Sequence, residues 1–282
     1  MLITTERPTV LGIARRAWSS LSRAAGRMLP LFIIAYLLMV GLDLAVDRVS
    51  HILAIPSIDS LKQLVKDGKR LPWPSVSKAV ALEVATSILR AIITAPLAVA
   101  MHRFILLDET RHFYFLSRLT LKFAIWLVAL QVPVIVLAWL ILFAGSATGL
   151  VPLLVVLLIA LGLLLMQTSQ LFPAVAVEEP TTNLSARLET ALERGEGMFW
   201  LTLVALILTF LPLALVQAVV VRVFAKLALR APLIIPIGKA TAGFLVVLLI
   251  SAAVSWLYSY GAHKKNAQLP DASPDRPIAP AS

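Results

Sequence analysis

Runs of apolar residues divide the chain into long stretches without charge, separated by short polar connectors. The clearest run is residues 150–166, LVPLLVVLLIALGLLLM, with no charge and no hydrogen-bonding side chain. As a helix it is about 25 Å long at 1.5 Å per residue, close to the ~30 Å hydrocarbon core of a bilayer. Comparable runs predict about six spans, at residues 29–46, 79–101, 122–144, 150–170, 198–221 and 237–258. The expected fold is all-α, a polytopic transmembrane helix bundle with amphipathic interfacial helices. Three regions follow: a basic amphipathic helix in residues 1–28, a six-span membrane domain in 29–260, and a disordered Pro-rich tail in 261–282.

The connectors carry their own periodicity. In residues 9–28, Val10, Ile13, Ala14, Ala17, Trp18, Leu21, Ala24 and Met28 share one arc at about 100° per residue. Arg15, Arg16, Arg23 and Arg27 lie on the opposite arc. Such a helix suits the interface of an anionic leaflet, with its arginines on phospholipid headgroups; the plainer role is an anchor that orients the first span. Asp43 is expected at the far interface. Beyond it, Ser57 can cap a short loop helix carrying Ile58, Leu61, Leu64 and Val65, and Pro72-Trp73-Pro74 suggests a rigid turn. Trp126 and Trp139 stand towards opposite ends of the third span, as an aromatic belt would place them. Gly145 to Gly149 predicts a tight turn between spans three and four, and residues 184–196 a further inner-surface helix.

Composition sharpens the class. The chain is 60% hydrophobic and only 14% charged, where a soluble domain has about 25% charged residues. The net charge of +10 argues for lipid rather than nucleic acid, because no basic–aromatic surface remains once the spans are drawn. Lys and Arg collect at span ends, where they orient the spans and bind anionic headgroups. Fourteen fall on the side of the two termini and ten on the other. With that narrow excess, the basic flank of the first span decides the orientation, and a multi-pass membrane protein with both termini cytoplasmic is expected. The first apolar run reads as a retained anchor, since its preceding region is too long for a secretory signal. There is no cysteine, hence no disulfide, thiolate ligand or cysteine nucleophile.

Candidate chemistry is sparse. In the second span Glu83, Ser87, Arg90 and Thr94 recur at i, i+4, i+7 and i+11, an arc of about 60°. A polar stripe there must face the bundle interior, water or a partner. Glu83 and Arg90 are about 10 Å apart along the helix, too far to pair directly. Ser87 or water must bridge them, or each finds a partner elsewhere, with Lys239 a candidate for Glu83. The stripe is either an ion or substrate path or a set of interhelical hydrogen bonds. The following segment, with His102, Arg103, Asp108, Glu109, Arg111 and His112, is expected at the inner surface. Its spacing matches no metal-ligand motif, and Gly238-Lys239 lacks the rest of a phosphate-binding loop. Neither metal nor cofactor is expected.

Two stretches carry a resemblance: APLAVAMHRFILLDE at residues 95–109 and LFPAVAVEEP at 171–180, each an apolar exit followed by an acidic turn. They resemble a family of six-span bacterial inner-membrane proteins of unassigned activity and, more remotely, the membrane domain attached to some glycerophosphodiester phosphodiesterases. The resemblance implies a six-helix membrane domain without the phosphodiesterase chemistry, which resides in a separate soluble barrel. Three functions compete. The leading one is a non-enzymatic role in envelope organisation, lipid interaction or assembly with a protein partner or a second copy. The second is a small-solute transporter or channel using the Glu83–Thr94 stripe. The third is a membrane enzyme acting on lipid headgroups through His102, Asp108, Glu109 and His112. After cell breakage without detergent, the protein is expected entirely in the sedimented membrane fraction; recovery as a folded, monodisperse soluble species would overturn the fold class.

Overall fold

The computed structural model describes residues 9–56, 60, 61, 63, 64, 67, 73–110, 117–144, 151–177, 198–228 and 234–268. Among these there are eight helices and no strand. They are α1 (Val10–Arg27), α2 (Leu29–Ile52), α3 (Trp73–Leu107), α4 (Arg118–Ala144), α5 (Val151–Thr168), α6 (Leu171–Ala176), α7 (Phe199–Ala228) and α8 (Ile234–Gln268). Five of them, α2, α3, α4, α7 and α8, are long and apolar enough to cross a membrane, while α5 is shorter. The chain is therefore a multi-pass membrane protein of the all-α class.

The centre is built from α3 and α8. In each, 56% of the most apolar window is buried, against 11% in α4 and 22% in α7. Residues 95–102 of α3 are buried without interruption, so this stretch is enclosed on every side. Small residues make that possible. Ala35 of α2, Ala95 of α3, and Ala240 and Ala252 of α8 are all 0% exposed. Helices in lipid gain little from excluding water, so close approach through small side chains supplies the packing energy. Against this centre, Phe32 and Tyr36 meet Phe244 edge-on, each with ring centroids 5.7 Å apart. The Tyr36 hydroxyl also hydrogen-bonds Thr241 at 3.0 Å.

α1 is part of the bundle. Thr9 caps it by accepting from the Gly12 N–H at 3.2 Å, satisfying one orphan donor of the first turn. It buries Ile13, Ala14, Ala17, Ser20 and Ala24, and packs on α7 and α8. The Trp18 indole N–H donates to the Thr209 carbonyl of α7 at 3.1 Å. That carbonyl is next to Leu208, whose own carbonyl loses its helical donor because Pro212 has no N–H. The Trp256 indole of α8 in turn donates to Ser20 at 3.2 Å. Two indole donors thus tie α1 to the spans in a region where unpaired polar groups are costly.

Several element boundaries differ from those expected. α2 runs six residues past the first expected span, because Asp43, Asp47 and Arg48 continue the helix. Ser50 donates to the Asp47 carbonyl at 2.7 Å there, and the turn comes only at Ala54, with φ 50°. Asp43 consequently lies inside the bundle, 6% exposed. Trp73 and Pro74 open α3 instead of forming a turn, since proline suits the first helical turn, where its missing N–H has no partner to lose. α3 also continues through Leu107 and stops at Asp108, with φ 54°, a left-handed conformation that aspartate tolerates. Trp139 is buried against Leu61, Val76 and Ala79. α8 extends into the expected tail, to Gln268. The loop helix starting at Ser57 is described only in part. The turn at 145–149, the helix at 184–196 and residues 269–282 lie outside the described residues.

Replacing Trp18 with Phe keeps the ring and deletes the indole donor. The expected cost is about 1 kcal/mol, that of one hydrogen bond, read as a lowered thermal midpoint in detergent; an unchanged midpoint would show that α1 is held by apolar packing alone.

Candidate functional site

The feature with the most chemistry is an intramembrane ion pair beside a cavity. Arg90, near the middle of α3, donates from Nη2 to Asp43 Oδ1 of α2. The Asp43 side chain is 5% exposed and that of Arg90 39%. Asp43 stands nine residues from the end of α2, about 14 Å along the axis, one turn before the charged Asp47–Arg48 step. A carboxylate enclosed by helices is expensive to leave unpaired. Pairing removes most of that burden. The other carboxylate oxygen, Oδ2, is buried with no hydrogen-bond partner among the described residues.

Beside the pair lies a cavity of about 800 Å³. It exists because α4 packs on α3 and α5 but not extensively on α7 or α8, so a space remains between these helices. Along α8 its lining runs from Lys239 to Val254, fifteen residues or about 22 Å. The wall is mostly Leu, Ile, Val and Phe, with a small set of polar side chains. Ser87, Arg90 and Thr94 are three of them, from the expected stripe, joined by Gln131, Gln217 and Lys239 from α4, α7 and α8. Thr94 spends its proton on the Arg90 carbonyl at 2.8 Å. Ser87, Gln131, Gln217 and Lys239 have no hydrogen-bond or ion-pair partner among the described residues. Glu83 does not line the cavity. It makes no ion pair among the described residues, with Lys239 or any other group, so the expected Glu83–Lys239 contact is replaced by Asp43–Arg90. Helical spacing gives Glu83 and Arg90 the same face but cannot say which neighbour that face meets.

The segment expected at the inner surface is drawn into packing contacts. His102 is 2% exposed, and its Nδ1 is 2.7 Å from Ser255 Oγ. Ser255 gives its own proton to the Ser251 carbonyl at 2.7 Å; His102 Nδ1–H must therefore be the donor to Ser255. Arg103 Nε donates to Glu109 at 2.7 Å and its Nη1 to the Ala176 carbonyl at 3.0 Å, closing the end of α6. Asp108 is exposed and takes a hydrogen bond from Arg27 at 3.1 Å. His102 and Asp108 thus sit in separate environments, one enclosed and one on the surface. Arg111 and His112 lie outside the described residues.

The α1 arginines also differ from a simple headgroup row. Arg16 lies over the Trp256 ring at 5.2 Å, Arg23 donates to Ser20 at 3.3 Å, and Arg27 holds Asp108 and the Phe104 face. Only Arg15 of the four makes no such contact among the described residues.

Fold and site together define a class: a multi-pass helical membrane protein with a paired charge beside a long, mainly apolar, open-sided cavity between its helices. No protein family, characterised protein or solved structure matches the chain.

Converting Asp43 to Ala leaves the Arg90 guanidinium uncompensated. The expected loss is about 3 kcal/mol, at the lower end for a broken buried pair because Arg90 is partly exposed. The double variant Asp43→Leu with Arg90→Leu should recover most of it. Thermal unfolding in detergent measures both, and strict additivity of the two single variants would contradict the pairing.

Proposed function

We propose that this chain is a non-enzymatic membrane protein that interacts with lipid by admitting an amphiphile into the cavity beside Asp43–Arg90. The observation that carries this reading is the cavity's make-up: long, lined mainly by aliphatic and aromatic side chains, with a few unpartnered polar groups. That combination suits a molecule with an apolar body and one polar end, as ligand sites do in general. The peripheral placement of α4 and α5 gives such a molecule a route from the bilayer. The basic flank of the first span supports an orientation with both termini cytoplasmic, and a bacterial inner membrane is the setting we propose for it. A role in envelope organisation follows if the amphiphile is a bilayer lipid.

A second reading is a small-solute transporter or channel. It is favoured by one fact: Ser87, Arg90 and Thr94 all line the same space. Water separates the two readings. Because the chain has no cysteine, Ser87→Cys and Thr94→Cys provide single probes. We expect both to react with a lipid-soluble maleimide and to resist a charged, membrane-impermeant thiol reagent applied from either side. Rapid labelling of both positions by the charged reagent would replace lipid binding with an aqueous path.

A further inference from the structure

Building on the amphiphile reading of the cavity, we propose that its occupant carries an anionic headgroup of the phosphodiester type, held at Lys239. Two cations line the cavity and, among the described residues, no carboxylate does. Arg90 is already neutralised by Asp43. Lys239 is exposed on the open side of the cavity and has no partner among the described residues, so the lining presents one uncompensated positive charge there. An ammonium group offers three donors and no acceptor; its counterpart must bring oxygens. Ser87, Gln131 and Gln217 add further donors with no partner of their own among the described residues. An anionic guest pairs with Lys239, whereas a cationic or purely apolar guest does not, and no carboxylate in the lining meets the second charge of a zwitterion. From Lys239 the lining continues along α8 to Val254, about 22 Å, farther than the ~15 Å of hydrocarbon in one leaflet. That length gives an acyl chain a place and argues for a lipid over a free phosphate ion. Lys239 stands five residues into α8, and its flexible stem lets the charge follow a headgroup along the cavity.

The test uses the full-length chain in nanodiscs of phosphatidylcholine with a minor fraction of phosphatidylglycerol. The parent and every variant carry Arg15→Gln and Arg23→Gln, which suppress headgroup binding at α1. Lipid retained through detergent exchange is quantified by mass spectrometry. The parent is expected to retain phosphatidylglycerol enriched several-fold over the bulk ratio. Lys239→Gln should retain as much lipid at the bulk ratio, and Lys239→Arg should keep the enrichment. Excess inorganic phosphate should not displace the lipid. Retained lipid at the bulk ratio in the parent, unchanged enrichment in Lys239→Gln, or displacement by phosphate each overturns the headgroup assignment while leaving the cavity reading in place. A lower thermal midpoint in Lys239→Gln with enrichment intact assigns Lys239 to the unpartnered oxygen of Asp43 instead, and also overturns it. Val247→Trp narrows the cavity and should lower total retained lipid; if it does not, the amphiphile reading itself fails.

Discussion

The ion pair between Asp43 and Arg90 fixes how α2 meets α3, and much else follows from that contact. The Asp43 carboxylate is enclosed and cannot be left without a counter-charge, and Arg90 of α3 supplies it. Pairing therefore selects one rotation of each helix about its axis. With α2 and α3 set, Phe32, Tyr36 and Met39 are turned towards α8, and Gly243 meets Met39 so closely that a Cβ there would lie 3.2 Å from its terminal methyl. An ion pair of this kind is a weak source of stability compared with apolar packing. Its value lies in register: alternative rotations of the same helices would bury one charge alone.

A second constraint acts at the other end of the bundle. α1 is held against α7 and α8 by alanines that permit close approach and by the indole donors of Trp18 and Trp256. Pro212 loosens the backbone of α7 near the carbonyl that Trp18 reaches. The helix that would otherwise float at the interface is therefore part of the fold. Arg16, Arg23 and Arg27 are consequently engaged in contacts with Trp256, Ser20 and Asp108. The central helices α3 and α8 are the most enclosed, with α3 buried without interruption over residues 95–102, while α4 and α5 remain at the periphery. The cavity belongs to the boundary between these two regimes, where packing is incomplete and polar side chains have no partner among the described residues.

The site was partly legible in the sequence. Ser87, Arg90 and Thr94 stand at helical spacing in an apolar run, and three such residues must share a face. Glu83 obeys the same spacing, but it lies two turns nearer the start of α3 and does not reach the cavity. Asp43 was harder to place. It precedes Asp47 and Arg48, so hydropathy alone ends the span near it, and only the continuation of α2 to Ile52 moves it into the interior. His102 posed the opposite problem, since a histidine followed by Arg and an acidic pair resembles a surface segment. Its burial depends on Ser255, more than a hundred and fifty residues away in the chain.

The sequence by itself determined the class. Apolar runs of bilayer length, a low charge content and basic span ends leave helical membrane insertion as the one arrangement that satisfies the backbone. Helical period also determined which residues share a face, because that depends only on the local 3.6-residue repeat. The tertiary structure alone decided which face meets which: that Arg90 pairs with Asp43 rather than with a group near Glu83, that Lys239 opens onto a cavity, and that α1 joins the core. These are contacts between segments distant in sequence. In lipid they are chosen by shape and by the need to pair each buried polar group, neither of which a one-dimensional pattern records.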